Sequence, residues 1–260
     1  MSGLPIEIVL GLVSGALVGF SLGLIGGGGS ILAVPLMFYL VGVPDAHVAI
    51  GTSAIAVGAT AAANLVQHAR RGTVKWHCAA VFAAAGVAGA FAGSSLSKMV
   101  DGQRLLVGFA LLMFVVGASM LRGRKSAGDD AVQLSRQNLP KLLVLGFFTG
   151  LLSGFFGIGG GFLIVPGLML ATGMPILNAI GSSLVGVTAF GFTSAANYAV
   201  SGFVDWALAA VFLAGGVVGG LAGAALAKRL ADRRGALNVA FACVIFAVAA
   251  YMLVRSAGGI

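Results

Sequence analysis

The chain consists of long apolar runs separated by short polar or glycine-containing breaks. The first half contains five runs, near residues 4–25, 30–42, 46–69, 74–97 and 103–121. The second half contains five more, near residues 141–157, 161–173, 177–200, 204–227 and 235–254. Most runs reach the roughly 20 residues that a helix needs to cross a bilayer. The pattern predicts an all-α polytopic membrane protein.

The second run of each half is too short to span a bilayer as a straight helix. The runs 30–42 and 161–173 cover about 20 Å at 1.5 Å per residue, against a hydrocarbon core of roughly 30 Å. Each run follows a glycine cluster and has an early proline, Pro35 or Pro166. We therefore expect a short, broken helix at this place in both halves.

The two halves repeat one another. At an offset of 131, Gly15, Gly19 and Gly23 recur as Gly146, Gly150 and Gly154. After one residue is lost, the offset is 130, and the two tryptophans form a pair, Trp76 and Trp206. The pattern predicts two homologous halves of four or five transmembrane segments each. The first repeat spans 4–121, the second spans 141–255, and the polar linker 122–141 joins them.

The distribution of Lys and Arg favours an inverted repeat. If the short runs cross the membrane, twelve basic residues fall on one side and three on the other. If the short runs are re-entrant, the counts are nine and six, and the halves are parallel. The positive-inside rule favours the more uneven count. It places the loops 70–75, 122–141 and 228–234 in the cytoplasm.

Composition excludes a soluble protein and explains the basic net charge. Hydrophobic residues make up 59% of the chain and charged residues 8%, whereas a soluble domain has roughly 25% charged residues. The net charge of +8 comes from clusters between apolar runs, which mark cytoplasmic loops and not a nucleic-acid surface. The 42 glycines suit helices that pack closely in lipid.

The two glycine clusters are the first candidate site. Irregular backbone at membrane depth is tolerated where it lines a cavity or is buried in protein, and matched interruptions in two repeats point to a transporter's central site. A helix start there presents free N–H groups and the positive end of the helix dipole, which together bind anions. The alternative is that the glycines only allow close packing. The candidate residues are Gly28, Gly29, Ser30, Gly159, Gly160 and Gly161.

Polar residues of the third segments are the second candidate set. The hydroxyls of Thr52, Ser53, Ser182 and Ser183 lie beside glycines and either cap helices or donate to a bound oxyanion. Deeper in the same segments, Gln67 matches Asn197, with Asn64 and Ser194 one turn earlier. Such groups face the bundle interior and serve either binding or helix–helix hydrogen bonding.

Several chemistries have no support in the sequence. The seven acidic residues fall at segment ends or in loops, and no basic residue lies in mid-span, which disfavours a cation pump. There is no P-loop pattern and no catalytic or metal-ligand arrangement, so we expect neither an enzyme nor a cofactor nor a metal site. The two cysteines, Cys78 and Cys243, lie in apolar runs and form no such spacing.

The repeated motif resembles that of a known family. In each half a glycine cluster precedes Val-Pro, then Gly-x-Pro, then Ala-Ile-Gly-[Thr/Ser]-Ser. This resembles the TauE/SafE sulfite-exporter family, from about Gly11 to Val254, with Ser30 standing where the second copy has Gly161. The resemblance implies a multi-pass transporter of the bacterial inner membrane, commonly described with about eight spans. It does not specify one substrate among sulfite, related sulfur compounds and small organic anions.

Together these observations predict an exporter of a small anion. A sulfur oxyanion or organosulfonate would bind between the two glycine-rich helix starts, and the repeats would expose it alternately to the two sides. The expected partners are this anion and the lipid bilayer, with no nucleic acid, and a homo-oligomer is left open. The alternatives are proton-coupled uptake with His68 as the titrating group, and a non-transporting membrane scaffold.

Overall fold

The computed structural model describes residues 4–121, 134–157, 161–229 and 234–257, and these ranges are helical with short connections and no strand. The first half contains α1 (Leu4–Ile25), a 3-10 turn (Gly26–Leu32), α2 (Ala33–Pro35), a π turn (Leu36–Leu40), α3 (Ala46–Arg70), α4 (Trp76–Ser97) and α5 (Gly102–Leu121). The second half contains α6 (Leu139–Phe156), α7 (Gly161–Thr172), α8 (Ile176–Val200), α9 (Trp206–Arg229) and α10 (Arg234–Ala257). The predicted all-α polytopic class is confirmed.

Six of the helices within the described ranges are long and apolar enough to cross a membrane. They cover Ile6–Leu24, Ala46–Arg70, Trp76–Ser97, Leu139–Phe156, Ile176–Val200 and Trp206–Leu226. Shorter apolar helices lie at Gly29–Leu40, Gly102–Ala118, Gly161–Thr172 and Cys243–Arg255. In the first half the short second run is divided into a 3-10 turn, the three-residue helix α2 and a π turn. In the second half it is a single α-helix of only 12 residues, α7.

Glycines set the two most extensive helix contacts. Along α1, Gly15, Gly19 and Gly23 face carbonyl oxygens of α9, and a Cβ atom at Gly19 would overlap the Gly216 oxygen. In return, Gly219 of α9 faces the Ala16 oxygen of α1. Helices in lipid gain little from hiding apolar side chains, so backbone approach of this kind is what holds the pair together.

Helices α4 and α6 make the same contact. Gly146, Gly150 and Gly154 of α6 face the carbonyl oxygens of Phe82, Gly86 and Ala90 of α4, and Gly89 and Gly93 of α4 face Phe147 and Leu151 of α6. The first helix of each half thus packs on the fourth segment of the other half. Between these two pairs, α3 and α8 cross where Gly58 meets Gly191, and α5 packs on α10.

The connections fix the direction of the helices. The start of α3 lies by the loop before α9, where the Thr52 hydroxyl accepts the Asp205 N–H, and the start of α8 lies by the loop before α4, where the Ser182 hydroxyl accepts the Lys75 N–H. Helix α9 thus starts by the start of α3, whereas α4 starts by the end of α3, so α9 and α4 run in opposite directions. Because α1 runs parallel to α9 and α6 runs parallel to α4, α1 and α6 also run in opposite directions. The duplication of the two halves stays a prediction from sequence.

The glycine contacts predict that replacing glycine by alanine lowers the unfolding free energy at some positions and not at others. Gly19→Ala and Gly150→Ala place a methyl group against a backbone carbonyl, so we expect a loss of about 1–3 kcal/mol or more of unfolding free energy. In Gly108→Ala the new methyl group would lie 3.4 Å from the Phe156 ring, an ordinary contact, so little change is expected. Denaturant unfolding in detergent measures the difference. Equal stability of all three variants would contradict the packing described here.

Candidate functional site

Helix α7 begins inside the bundle. The Ile164 side chain, in its first turn, packs on Gly186, the eleventh of the 25 residues of α8. Gly161 and Phe162 are buried. Gly157 adopts a left-handed conformation with φ of 67° and ends α6, which turns the chain toward α7. The predicted residues Gly159 and Gly160 lie outside the described residues, while Gly161 is placed at a buried helix start near mid-depth.

The corresponding segment of the first half starts differently. Gly28, Gly29 and Ser30 lie in a 3-10 turn, Gly26–Leu32, and not at the start of an α-helix. Gly29 packs on the backbone of Ser21 and Leu22, and Ser30 is fully buried. This turn contacts α7. The structure therefore places the first glycine-rich segment against α7, as a 3-10 turn at the position where the second half begins an α-helix.

The hydroxyls of Thr52 and Ser182 hold the loops that lead into other helices. Thr52 Oγ1 accepts the backbone N–H of Asp205 at 3.0 Å, and Ser182 Oγ accepts that of Lys75 at 2.8 Å. Both side chains are almost fully buried. Each bond satisfies a backbone donor next to a helix start, where donors lack intrahelical acceptors. Of the two roles left open by the sequence, the geometry favours helix-end stabilisation.

The four predicted hydroxyls do not meet in one site. Ser53 and Ser183 donate to carbonyls of their own helices, Ile50 and Ile180, at 3.0 and 2.8 Å. Thr52 lies near the start of α3, and 18 residues or about 27 Å of helix separate it from Arg70 at the other end. Ser182 lies at that other end, beside the loop 71–75. The two hydroxyl pairs therefore occupy opposite ends of the α3–α8 pair.

Asn197 belongs to a polar network between α4 and α8. Its Nδ2 donates to Ser94 and Ser95 at 2.7 and 2.9 Å, and its Oδ1 accepts from Lys98 Nζ at 2.8 Å. Lys98 also donates to the Asn197 carbonyl and to Ser201. Gln67, which matches Asn197 in the first half of the chain, is partly exposed and makes no hydrogen bond within the described ranges. Lys98 was not a predicted site residue, because its place at a segment end gave no sign of partners on α8.

Charged residues separate between the two ends of the bundle. A cavity of about 210 Å³ is lined by Glu7, Asp45 and Asp205, and a neighbouring cavity of about 620 Å³ by Asp45, Lys98 and Asp101. We call this the acidic end. Arg70, Arg71 and Lys75 lie at the other end of α3, which we call the basic end. His68 also lies there, with Nδ1 3.0 Å from Thr73 Oγ1.

The network around Asn197 predicts a structural effect. Asn197→Leu leaves Lys98, Ser94 and Ser95 without this partner, so we expect a loss of about 1–3 kcal/mol in unfolding free energy. Gln67→Leu, at the matched position on α3, is the control and is expected to change stability little. Urea unfolding in detergent distinguishes the two variants. A stability of Asn197→Leu equal to that of the control would argue against the network.

Relatives of this chain are membrane proteins. It is 51% identical over 251 residues to a probable membrane transporter protein of Xylella fastidiosa (strain 9a5c), covering 96% of both chains. It is 28% identical to the probable membrane transporter protein YunE of Bacillus subtilis (strain 168), covering 86% of this chain and 89% of that one. No solved structure matches the chain.

The family comparison covers nearly the whole sequence. The model of the family described as "Sulfite exporter TauE/SafE" matches residues 11–252, from within α1 to within α10. The multi-pass membrane location is thereby supported by composition, by helices and by relatives, and an inner-membrane location fits the bacterial relatives. The chain therefore belongs to the sulfite exporter TauE/SafE family of membrane transporters.

Proposed function

We propose that the protein is a secondary transporter that exports a small anion, sulfite or a related sulfur oxyanion or organosulfonate. The observation that carries this proposal is the start of α7 near mid-depth, in a helix that contacts the glycine-rich turn Gly26–Leu32. The first N–H groups of an α-helix have no intrahelical acceptor, and the helix dipole adds positive potential there. Such a start binds an anion without a charged side chain.

The interior of the bundle supports an anionic substrate. Among the described residues, acidic side chains lie at helix starts or in connections, and none lies in the middle of a spanning helix. A cation path usually contains a buried carboxylate. No group of three or more potential metal ligands occurs within the described ranges. The proposed site keeps the two glycine segments and not Thr52, Ser53, Ser182 and Ser183, whose bonds lie at the helix ends.

The separation of charge favours export. The positive-inside rule places the basic end, with Arg70, Arg71 and Lys75, in the cytoplasm. Positive potential there raises the local concentration of anions at the cytoplasmic entrance. A cell interior that is negative by 100 mV favours outward movement of each negative charge by about 2.3 kcal/mol. Export by this route requires no coupled proton.

The packing suggests which parts move. Because α1 packs on α9 and α4 packs on α6, each rigid group combines helices from both halves of the sequence. Helix α3 contacts α9, and α8 contacts α4. Alternating access then consists of one pair, α1–α9, rocking against the other pair, α4–α6, about the α3–α8 contact at the Gly58–Gly191 crossing. The two groups that rock are thus not the two sequence repeats.

Flux measurements test the proposal. Vesicles containing the purified protein and loaded with sulfite are expected to release it faster when the interior is made negative. A protonophore, with the membrane potential clamped, should leave the rate unchanged. Gly161→Leu is expected to reduce the rate at least tenfold, because a side chain would fill the buried helix start, while Gly108→Ala should keep it.

Three results would count against the proposal. Release equal to that from protein-free vesicles, for sulfite and for an organosulfonate, would remove the transport function assigned here. Unchanged flux in Gly161→Leu would move the site away from α7. Loss of flux on addition of the protonophore, together with loss in His68→Gln, would instead favour proton-coupled movement.

A further inference from the structure

Basic side chains at the basic end lie one helical turn from apolar side chains that face lipid. On α3, Val66 is 51% exposed, and the exposed Arg70 follows it on the same helix face. On α6, the exposed Lys141 precedes Val144, which is 55% exposed. In a membrane-spanning bundle such apolar side chains contact acyl chains, so Arg70 and Lys141 reach the level of the lipid headgroups.

Lys141 lies beside the start of α4. Gly146 of α6 packs on the Phe82 carbonyl of α4, and the two helices run parallel. Five residues earlier on both helices, Lys141 is level with His77, which follows Lys75 by two residues. Basic side chains therefore line one edge of the bundle, from the end of α3 through the start of α4 to the start of α6. We call this edge the basic surface, and its members are Arg70, Arg71, Lys75 and Lys141.

The fold does not account for the charge of this surface. The side chains of Arg70, Arg71 and Lys141 make no hydrogen bond or ion pair with any residue that the structure describes. All three are exposed. Replacing an exposed side chain without partners usually changes the stability of a protein little.

The connection between α8 and α9 repeats the backbone of the connection between α3 and α4. Gly72 and Gly202 are both left-handed, with φ of 68° and 76°. The N–H of the next residue, Thr73 or Phe203, donates to the carbonyl five residues before it, at 3.3 and 3.0 Å. The two connections therefore have the same turn, one at each end of the bundle.

The matched positions at the acidic end carry no basic residue. Lys98 reaches the connection there, but its ammonium group donates to Asn197 and Ser201. The same turn thus forms with and without the basic residues, so their positive charge is available to a partner outside the chain. In the order Arg70, Arg71, Lys75 and Lys141, the matched residues are Val200, Ser201, Asp205 and Leu10.

We propose that the basic surface binds the phosphate headgroup of an anionic phospholipid, with Trp76 against the acyl chains. Trp76 follows Lys75 directly and is exposed, and tryptophan is typical of the boundary between headgroups and acyl chains. Each Lys or Arg near a membrane surface raises the local concentration of anionic lipid by about fivefold. The lipid-facing side chains beside Arg70 and Lys141 favour a phospholipid over a free anion, because a free anion makes no apolar contact. This surface is separate from the buried start of α7, so the proposal does not depend on the proposed function.

The two tryptophans make the proposal testable by fluorescence. Trp206→Phe leaves Trp76 as the reporter of the basic surface, and Trp76→Phe leaves the equally exposed Trp206 as the reporter of the matched connection. Each full-length protein is reconstituted into phosphatidylcholine vesicles with increasing fractions of phosphatidylglycerol that carries bromine in its acyl chains, because bromine quenches tryptophan only at close contact. Half-maximal quenching of Trp76 is expected at a phosphatidylglycerol fraction about fivefold or more below that for Trp206. Brominated phosphatidylcholine is expected to quench both equally.

Charge variants identify the residues that bind the lipid. In the protein that retains Trp76, Arg70→Gln combined with Lys141→Gln should raise the phosphatidylglycerol fraction for half-maximal quenching about fivefold or more. Arg104→Gln is the matched control, because it removes an exposed basic side chain at the acidic end, and it should leave the quenching unchanged. Thermal unfolding in a neutral detergent should be the same for all these proteins, since no bond within the described chain is lost.

The proposal fails on any of three results. Quenching of Trp76 that is equal for the two brominated lipids, or equal to that of Trp206, would mean that the surface does not select anionic lipid. Quenching that Arg70→Gln with Lys141→Gln leaves unchanged would remove these residues from the binding surface. If sodium sulfite displaces the lipid more effectively than sodium chloride of the same ionic strength, the surface binds free anions instead of a headgroup.

Discussion

Contact between helix backbones is the interaction on which the rest of this structure depends. Apolar side chains gain little by leaving lipid for protein, so helices in a bilayer associate through close packing and polar contacts. Glycines at every fourth position allow α1 to reach the carbonyls of α9, and α6 to reach those of α4. These two contacts frame α3 and α8, and they leave room for two short helical segments inside the bundle.

Much of the fold could be predicted from the sequence. The apolar runs gave the helices, and the glycine spacing of α1 and α6 marked faces that pack closely. The partner of each face could not be predicted, because a row of glycines offers the same small surface to any helix. The exchange of partners between halves depends on three-dimensional geometry that a repeat in one sequence does not encode.

The candidate site was only partly accessible from the sequence. Gly161 was predicted at a buried helix start because glycine and proline interrupt an apolar run there. The hydroxyls of Thr52 and Ser182 were not separable into binding or structural roles, because their partners are 153 and 107 residues away in the chain. The hydroxyl of Ser153 gave no signal at all, since one serine in an apolar helix is common. Only the structure shows that its buried oxygen has no hydrogen-bond partner within the described residues.

The exchanged helix pairs also have a consequence for biosynthesis. Gly15 of α1 meets its partner near Phe212 of α9, about 200 residues later in the chain. At roughly 5–20 residues per second, the ribosome needs on the order of 10–40 s to produce that stretch. During this time the glycine face of α1 has no native partner and lies against lipid or the insertion machinery. The first helix to enter the membrane is thus one of the last to reach its final neighbour.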